Sequence, residues 1–555
     1  MPIAIKPEHQ DLAESVRALL NRVAPAEVLH EALETPISNP PPFWRAAADQ
    51  GLHGLHLSES VGGQGYGMLE LAVAVAEFGH GAVPGPFIPS VIASALIAAH
   101  DPESKLLAEL ASGETIAAAA LESDLTGTQV DGTLTIRGEC RCVPAGAQAS
   151  LLVLPVSIEN TVAWVVLDAA QLQIEEWKSV DPLRPVARIR ADGAEVSTDR
   201  VLSAVPHSAG RAIITTLLSA EAVGIALWAT ETASEYAKIR EQFGRPIGQF
   251  QAIKHKCAEM IATTERATAA VWDAARAIDE AAANDWGDAS THYQFAAAVA
   301  ATLAPVAAQH CAQDCIQVHG GIGFTWEHDA HLYLRRAFGI AQFLGGESRW
   351  LRRVVELTIG GVRRDLHIDL DSVAHLRSGI SDAVSAVAAL PAAERQPALA
   401  DSGLLAPHWP KPYGRGAGPA EQLLIDAELA KAGVVRPDLV IGWWAGPTIL
   451  EAGTREQIDR FVPATLRGEI FWCQLFSEPE AGSDLAALRT KAVRVEGGWK
   501  LNGQKVWTSA AHKADWGVCL ARTDPDAPKH KGITYFLVDM RLPGIMIRPL
   551  REITG

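Results

Sequence analysis

The sequence predicts an α+β chain of several domains. A helical domain, a β-barrel-like middle domain and a C-terminal four-helix bundle come first, followed by a second, partial copy holding only a helical and a β portion. Three observations carry this prediction. The chain has 555 residues, too many for one hydrophobic core. Its apolar periodicity switches from helical to alternating and back to helical before residue 361. Its two halves also align with each other, the mark of a duplicated unit.

In chain order, residues 1–115 read as helices, with Leu12, Val16, Leu19 and Leu20 at three- and four-residue spacing. Residues 116–205 turn to short apolar or alternating runs punctuated by glycine, such as Ser150–Val156 and Val162–Leu167, and read as strands. Residues 206–360 return to long helices. Ile213, Leu217, Ala220, Gly224 and Leu227 form one stripe, and Ala297–Ala308 reads as a close-packing helix. Residues 361–470 then read as a second helical domain and 471–555 as a second, incomplete β domain.

The repeat is legible residue by residue. Gly51-Leu52-His53-Gly54-Leu55-His56 with Gly62 aligns without gaps on Gly403-Leu404-Leu405-Ala406-Pro407-His408 with Gly414. Glu122-Ser123-Asp124-Leu125 aligns on Glu478 and Ser483-Asp484-Leu485, with Pro-Glu-Ala-Gly missing from the first copy. Leu134–Val156 runs against Trp499–Ala521. The joint is expected near Gly360 to His367, where Arg363-Arg364-Asp365 follows a glycine pair. Gly555 falls near Arg184 of the first copy, so the second copy has no helical bundle of its own in this sequence.

Composition narrows the function classes. With 48% hydrophobic and 20% charged residues, the chain reads as a soluble globular protein. The net charge of −17 argues against nucleic acid, whose phosphates need a basic face. No run of about 18 uncharged apolar residues and no signal peptide are visible, so no membrane span and a cytoplasmic location are expected. The close cysteine pairs, Cys140-x-Cys142 and Cys311-x3-Cys315, have neither the second pair nor the histidines of a zinc site, so no metal is expected.

The chemically informative stretch is Gln474-Leu475-Phe476-Ser477-Glu478-Pro479-Glu480-Ala481-Gly482-Ser483-Asp484, followed by Val506-Trp507-Thr508-Ser509. Proline fixes one φ and glycine permits an unusual one, so this is a turn. It offers backbone N–H groups and the Ser477 and Ser483 hydroxyls to a planar, acceptor-rich ring. Trp507 can cover one face of such a ring and Ser509 can reach its edge.

This string resembles the flavin-cradling motif of the acyl-CoA dehydrogenase family. The first copy carries further similar motifs: Arg240-Glu241-Gln242-Phe243-Gly244-Arg245-Pro246, then Gln251, then Gln317-Val318-His319-Gly320-Gly321. The resemblance covers nearly the whole chain and implies that family's fold. It implies FAD as cofactor, with the nucleotide gripped by Arg240, Gln242, Phe243, Gln251, Gln317, Gly320 and Gly321. Phe476, Ser477, Trp507 and Ser509 would hold the ring, and Ser483 would lie near bound acyl-CoA. At the positions of Trp507, Thr508 and Ser509 the first copy has Cys142, Val143 and Pro144, so it offers no ring pocket. One FAD per chain is the expectation.

The family's catalytic base is a glutamate at one of two places. In the first copy these places hold Leu344 and Ile214, neither of which accepts a proton; Glu347 lies three residues out of register. Either the natural product continues past Gly555 and carries the base there, or this chain cannot dehydrogenate alone; the first is the expectation. The activity implied is oxidation of an acyl-CoA, a bulky steroid side-chain or lipid thioester, to the 2,3-enoyl-CoA, with an electron-transfer flavoprotein as acceptor. Alternatives are a flavin acyl-CoA oxidase and a non-catalytic scaffold or regulatory subunit. Family members are tetramers, so a fused pair implies a homodimer of four pseudo-subunits.

Overall fold

A computed structural model describes residues 6–35, 39–130, 132–287, 290–364 and 370–553. The chain divides into two compact units, residues 1–366 and 367–555. Of the expected joint, Asp365–His367 lie outside the described residues.

Unit 1 opens with helices α1 (Pro7–Val23), α2 (Ala26–Glu34), α3 (Trp44–Asp49), α4 (Met68–His80), α5 (Phe87–His100) and α6 (Leu106–Ser112). On α1 the apolar spacing buries Val16, Leu19 and Leu20, with Leu12 packed at their edge. A seven-stranded sheet follows: β1 (Ala117–Ala119), β2 (Thr126–Val130), β3 (Thr133–Pro144), β4 (Leu151–Ile158), β5 (Thr161–Asp168), β6 (Gln173–Trp177) and β7 (Val186–Ser197). Its order is β1-β4-β2-β3-β7-β6, with β5 on the other edge of β4. The unbroken apolar run of β4 is buried from Leu151 to Val156, as a strand covered on both faces requires.

The bundle comprises α7 (His207–Ile239), a hairpin of β8 (Glu241–Gln242) and β9 (Arg245–Pro246), then α8 (Gln251–Ala282), α9 (Ser290–His319), α10 (Ala330–Phe343) and α11 (Glu347–Ile359). The expected stripe on α7 is too narrow. Every residue from Ala212 to Ala226 is buried, because α4, α5, α8, α9 and α10 pack around this helix, while Leu227 is only half-buried. The alanines of α9 from Ala297 to Ala308 are buried as their spacing predicts. Helices α7 and α9 run parallel: Ser208 Oγ meets Tyr293 Oη at 2.9 Å near one end, and Tyr236 stacks on His319 at 4.2 Å near the other. Both His207–Ile239 and Thr291–His319 reach the length and apolarity of a membrane span, but the apolar windows are 89% and 61% buried within the unit.

Sheet and bundle are locked by a buried ion network. Glu221 of α7, with no exposed side-chain surface, accepts from Arg184 at 2.6 and 2.5 Å and from Arg336 at 2.8 Å. Arg336 also pairs with Asp181.

Unit 2 contains α12 (Arg377–Ala388), α13 (Ala392–Asp401), α14 (Pro419–Lys431), α15 (Gly442–Ala452) and α16 (Arg455–Leu466). They precede β10 (Trp472–Leu475), β11 (Lys491–Val495), β12 (Gly498–Asn502), β13 (Trp516–Arg522) and β14 (Ile533–Asp539). The sheet order, β10-β13-β11-β12 with β14 on β13, repeats β1-β4-β2-β3 with β5 on β4. The register repeats too. Leu151 pairs Asp168 as Trp516 pairs Asp539, and Thr126 pairs Ser157 as Lys491 pairs Arg522.

Two details of the internal alignment are corrected by the structure. The glycine equivalent to Gly414 is Gly63, not Gly62. A Cβ on Gly414 would stand 2.3 Å from the Ala406 carbonyl oxygen, and one on Gly63 would stand 2.1 Å from that of Leu57, whereas Gly62 faces open space. The first copy spends one extra residue in the one-turn helix Glu59–Val61, and a gapless alignment misses it. Further on, Thr126 corresponds to Lys491, so Asp124 and Leu125 match Arg489 and Thr490, not Asp484 and Leu485. The first copy has therefore lost more of its loop than Pro-Glu-Ala-Gly.

Candidate active site

The loop after β10 in unit 2 is built around Glu478. Its main chain closes a tight turn, with Glu478 N–H donating to the Ala481 carbonyl at 3.0 Å and Ala481 N–H donating back at 3.1 Å. The buried carboxylate accepts from Arg489 N–H at 2.6 Å, Thr490 N–H at 2.9 Å and Lys505 Nζ at 2.8 Å. Burial alone would raise this carboxyl, but the bonds from Lys505, Thr490 and Arg489 outweigh it and hold it at about 2. Lys505 Nζ also donates to the Phe476 carbonyl at 2.9 Å, and Val506 N–H donates to the Ser477 carbonyl at 2.9 Å. One lysine thus staples the two sequence-distant halves of the motif.

This staple fixes what the loop presents. Gly482, Ser483 and Asp484 are exposed, and a Cβ on Gly482 would meet nothing. Trp507 follows the staple with φ +59° and is 74% exposed, its indole free to cover a flat ligand; Ser509 is exposed two residues on. Phe476 turns its ring toward Tyr535, 6.1 Å away, so it would meet a ligand through its main chain. Sequence reasoning did not single out Glu478 or Lys505 as the groups that hold the loop. The signal was there: a lone lysine two residues before Trp507, opposite the motif's glutamate.

In unit 1 the expected nucleotide residues gather at one end of the bundle, where the stacking of Tyr236 on His319 joins the C-terminal ends of α7 and α9. Arg240 ends α7, and the β8–β9 hairpin turns through Phe243 (φ +55°) and Gly244 (φ +75°). Arg240, Gln242, Gln251 and Gln317 are exposed, and Phe243 is 92% exposed. A Cβ at Gly320 or Gly321 would meet no atom within 4 Å, so a ligand can approach the backbone there. A flat, exposed aromatic beside a free guanidinium and two open glycines suits a nucleotide with its phosphates.

The equivalent of the ring loop in unit 1 is differently built. Cys142–Pro144 lie in β3, with Val143 and Pro144 paired to Ala187 and Val186 of β7. Glu122 is not tucked under the loop but turns outward to Arg211, at 3.4 Å, and Arg349. Ile214 and Leu344 are buried in the apolar core, so neither position offers a base. Glu347 is exposed at the first turn of α11.

Comparison with known proteins supplies the lineage. Models of the acyl-CoA dehydrogenase N-terminal domain match residues 6–114 and 381–469, the middle domain residues 473–555, and the C-terminal domain residues 215–359. The chain is 56% identical over 522 residues to acyl-CoA dehydrogenase FadE34 of Mycobacterium tuberculosis, covering 93% of this chain and 70% of that protein. It is 34% identical over 349 residues to acyl-CoA dehydrogenase IpdE2 of the same organism, covering 62% of this chain and 96% of that one. Among solved structures, a Tcur3481–Tcur3483 steroid ACAD variant superposes with a TM-score of 0.58 at 26% identity, over 64% of this chain and 98% of that chain. The ChsE4–ChsE5 complex from Mycobacterium tuberculosis superposes at 0.59 and 23% identity, over 66% and 100%, a likeness of fold.

Proposed function

Because this chain belongs to the acyl-CoA dehydrogenase family, oxidoreductases acting on CH–CH bonds, we propose that it serves FAD-dependent desaturation of an acyl-CoA to the 2,3-enoyl-CoA. The observation that carries this is the staple of Glu478 and Lys505, which joins the segment holding Ser477 and Ser483 to the segment holding Trp507 and Ser509. FAD would supply the acceptor for the substrate's β-hydride. Ser477 and Ser509 would hydrogen-bond the ring edge, Trp507 would cover its face, and Ser483 would lie toward the thioester. Arg240 would pair with the pyrophosphate, and Gln242, Phe243, Gln251, Gln317, Gly320 and Gly321 would seat the nucleotide. The chain carries one set of ring residues and one of nucleotide residues, so one FAD per chain is proposed.

Removal of the weakly acidic α-proton needs a carboxylate beside the α-carbon. Ile214 and Leu344 hold none, so this reading assigns the base to neither. The likeness to a steroid ACAD supports a bulky steroid side-chain thioester as substrate. An electron-transfer flavoprotein is proposed as acceptor, and a second copy of the chain as the stable partner; light scattering showing only a monomer would contradict the latter.

The experiment is an absorbance spectrum of the purified protein with FAD stoichiometry, then anaerobic addition of steroid side-chain and short acyl-CoAs. One flavin per chain, bleached by the bulky thioester and reoxidised slowly in air, is the expected result. Fast reoxidation in air would make it an oxidase. A colourless protein that takes up no FAD would overturn the reading in favour of a scaffold.

A further inference from the structure

Histidines crowd the end of the unit 1 bundle that carries the nucleotide residues, and one of them lies under the glycine turn. His319, 6% exposed, closes α9 immediately before Gly320. A Cβ on Gly323 would stand 2.7 Å from His319 Cβ, so the turn after α9 folds closely onto this residue. The His319 ring stacks on Tyr236 of α7 at 4.2 Å, and the Tyr236 carbonyl accepts the Arg240 N–H at 2.9 Å. His328 lies 4.3 Å from His319, and His331 follows at the start of α10, stacked on Trp326 at 4.4 Å. His319 therefore touches both parts of the grip: the helix end that carries Arg240 and the turn that carries Gly320 and Gly321.

Hydrogen bonds decide which ring nitrogen is open. His319 Nδ1 lies 2.8 Å from the Cys315 carbonyl oxygen, which can only accept, so Nδ1 carries the proton of the neutral ring and Nε2 keeps its lone pair. His328 is the reverse case: its Nδ1 already accepts the Ala330 N–H at 3.1 Å. Burial lowers His319 below the ordinary histidine value. Burial also lowers His328, helped by His319, and lowers His331, helped by Arg335. From the elements around them come Asp329, bound by His30 of α2 at 2.7 Å, and Arg335, laid over Trp326 at 5.3 Å. Tyr333 of α10, Cys315 of α9 and Cys257 of α8 are raised by burial and stay neutral, the Cys315 thiol pushed up to about 12.

Resting on the assignment of the flavin nucleotide to this end of the bundle, we propose that His319 is the proton acceptor of the nucleotide grip. As the pyrophosphate settles against Arg240 and the Gly320–Gly321 backbone, one proton passes from solvent to His319 Nε2. The pyrophosphate brings fixed negative charge, and a nearby anion favours the charged form of a base. An imidazole that is neutral in the free protein and cationic in the complex joins Arg240 in facing that charge, without a buried cation in the empty site. His328 stays neutral, because its open nitrogen is engaged and two adjacent imidazoliums repel. The complex then binds more protons than the free protein. Affinity is level at alkaline pH, rises as pH falls through the bound-state titration, and levels off again below the free-state one, which lies under the ordinary 6.5.

The test is calorimetric titration of the whole apo-protein with FAD, in buffers of different ionisation enthalpy, across about pH 5.5 to 8.5, where FAD itself does not titrate. The expected result is uptake of as much as one proton per FAD on the acid side and none at the alkaline end. Affinity should rise by up to about tenfold per pH unit where uptake is greatest. His319→Phe, which keeps a ring against Tyr236, should bind FAD without uptake; where that variant does not fold, His319→Gln replaces it. His328→Asn, which keeps an acceptor for the Ala330 N–H, should retain the uptake. FAD binding by the wild type with no proton uptake overturns the proposal independently of any variant and leaves the flavin reading standing. Undiminished uptake without His319 does the same. No FAD binding by the wild type overturns both.

Discussion

Replacing Glu478 by glutamine separates a positioning role from a decorative one. The amide has nearly the carboxylate's shape but only one acceptor oxygen and no charge. In the native loop the carboxylate takes three donors: Arg489 N–H, Thr490 N–H and Lys505 Nζ. Glutamine can satisfy those on one side, while its NH₂ faces a donor on the other. The Lys505 ammonium, 9% exposed, loses its counter-charge. Hydrogen bonds to charged groups contribute roughly 1.5–3 kcal/mol each, and breaking a buried pair costs roughly 3–5 kcal/mol. The upper figures are discounted because Lys505 keeps its bond to the Phe476 carbonyl. A loss of about 3 kcal/mol in holding the loop is expected, on the order of a hundredfold in flavin affinity if the ring binds only to the stapled loop. Titrating apo-protein with FAD, followed by flavin fluorescence, measures this. Affinity within twofold of wild type would refute the claim that the staple presents the ring residues. The carboxyl sits at about 2 against an ordinary 4.5, so its contribution is fully present above pH 4.5 and is lost as pH falls toward 2. Between pH 5 and 8 this group should give flavin binding no slope.

Other outcomes follow from single contacts. Arg240→Ala should weaken FAD binding by roughly 1.5–3 kcal/mol, the range for a charge-assisted bond, and leave the thermal midpoint unchanged because the side chain is exposed. Glu221→Gln should destabilise unit 1 by roughly 3–5 kcal/mol in chemical denaturation, since Arg184 and Arg336 would be left buried without their shared carboxylate. Asp279, which accepts from Met68 N–H at 2.8 Å at the start of α4, is raised by burial to about 6 from 3.8. Its protonated form is the one folding favours, so stability should fall as pH rises from about 4 through 6. Asp279→Asn should flatten that slope in denaturation midpoints measured across the window.

The repeat was legible because residues such as Gly51-Leu52 and Gly403-Leu404 persist in both copies, and the helix–sheet–helix order because it rests on periodicity, which survives divergence. That each copy has a β portion could be read from where apolar runs and turns fall, whereas the strand order, with β4 and β13 paired on both edges, could not. What escaped was short and three-dimensional. Gly62 and Gly63 are adjacent in sequence, and only the carbonyl of Leu57 says which one cannot carry a side chain. The width of the α7 stripe depends on how many neighbours surround the helix, which its own sequence does not state. In the site, the sequence pointed to groups that would touch a ligand, such as Ser477 and Trp507, but not to the buried Glu478–Lys505 pair beneath them. A charged residue inside a motif looks the same whether it faces the ligand or holds the loop.

The two copies differ at one residue that explains several others. By strand register, Lys505 corresponds to Cys140, whose thiol donates to the Glu122 carbonyl at 3.2 Å much as Lys505 does to the Phe476 carbonyl. A thiol pushed up to about 12 by burial cannot balance a carboxylate, so a glutamate side chain under this loop would be a buried, unpaired charge. In the first copy Ser123 Oγ takes the Leu125 N–H instead, at 3.3 Å, where Glu478 takes the equivalent Thr490 N–H in the second. The registers of β1 on β4 and β10 on β13 set Ser123 at the place of Glu478 and Glu122 at that of Ser477, and Glu122 turns to the surface, where Arg211 and Arg349 meet it. Loss of the lysine, loss of the carboxylate and shortening of the loop are one coupled change. Restoring lysine at Cys140 alone would therefore not rebuild a ring pocket, because Ser123 stands where Glu478 does and offers no carboxylate to pair with it.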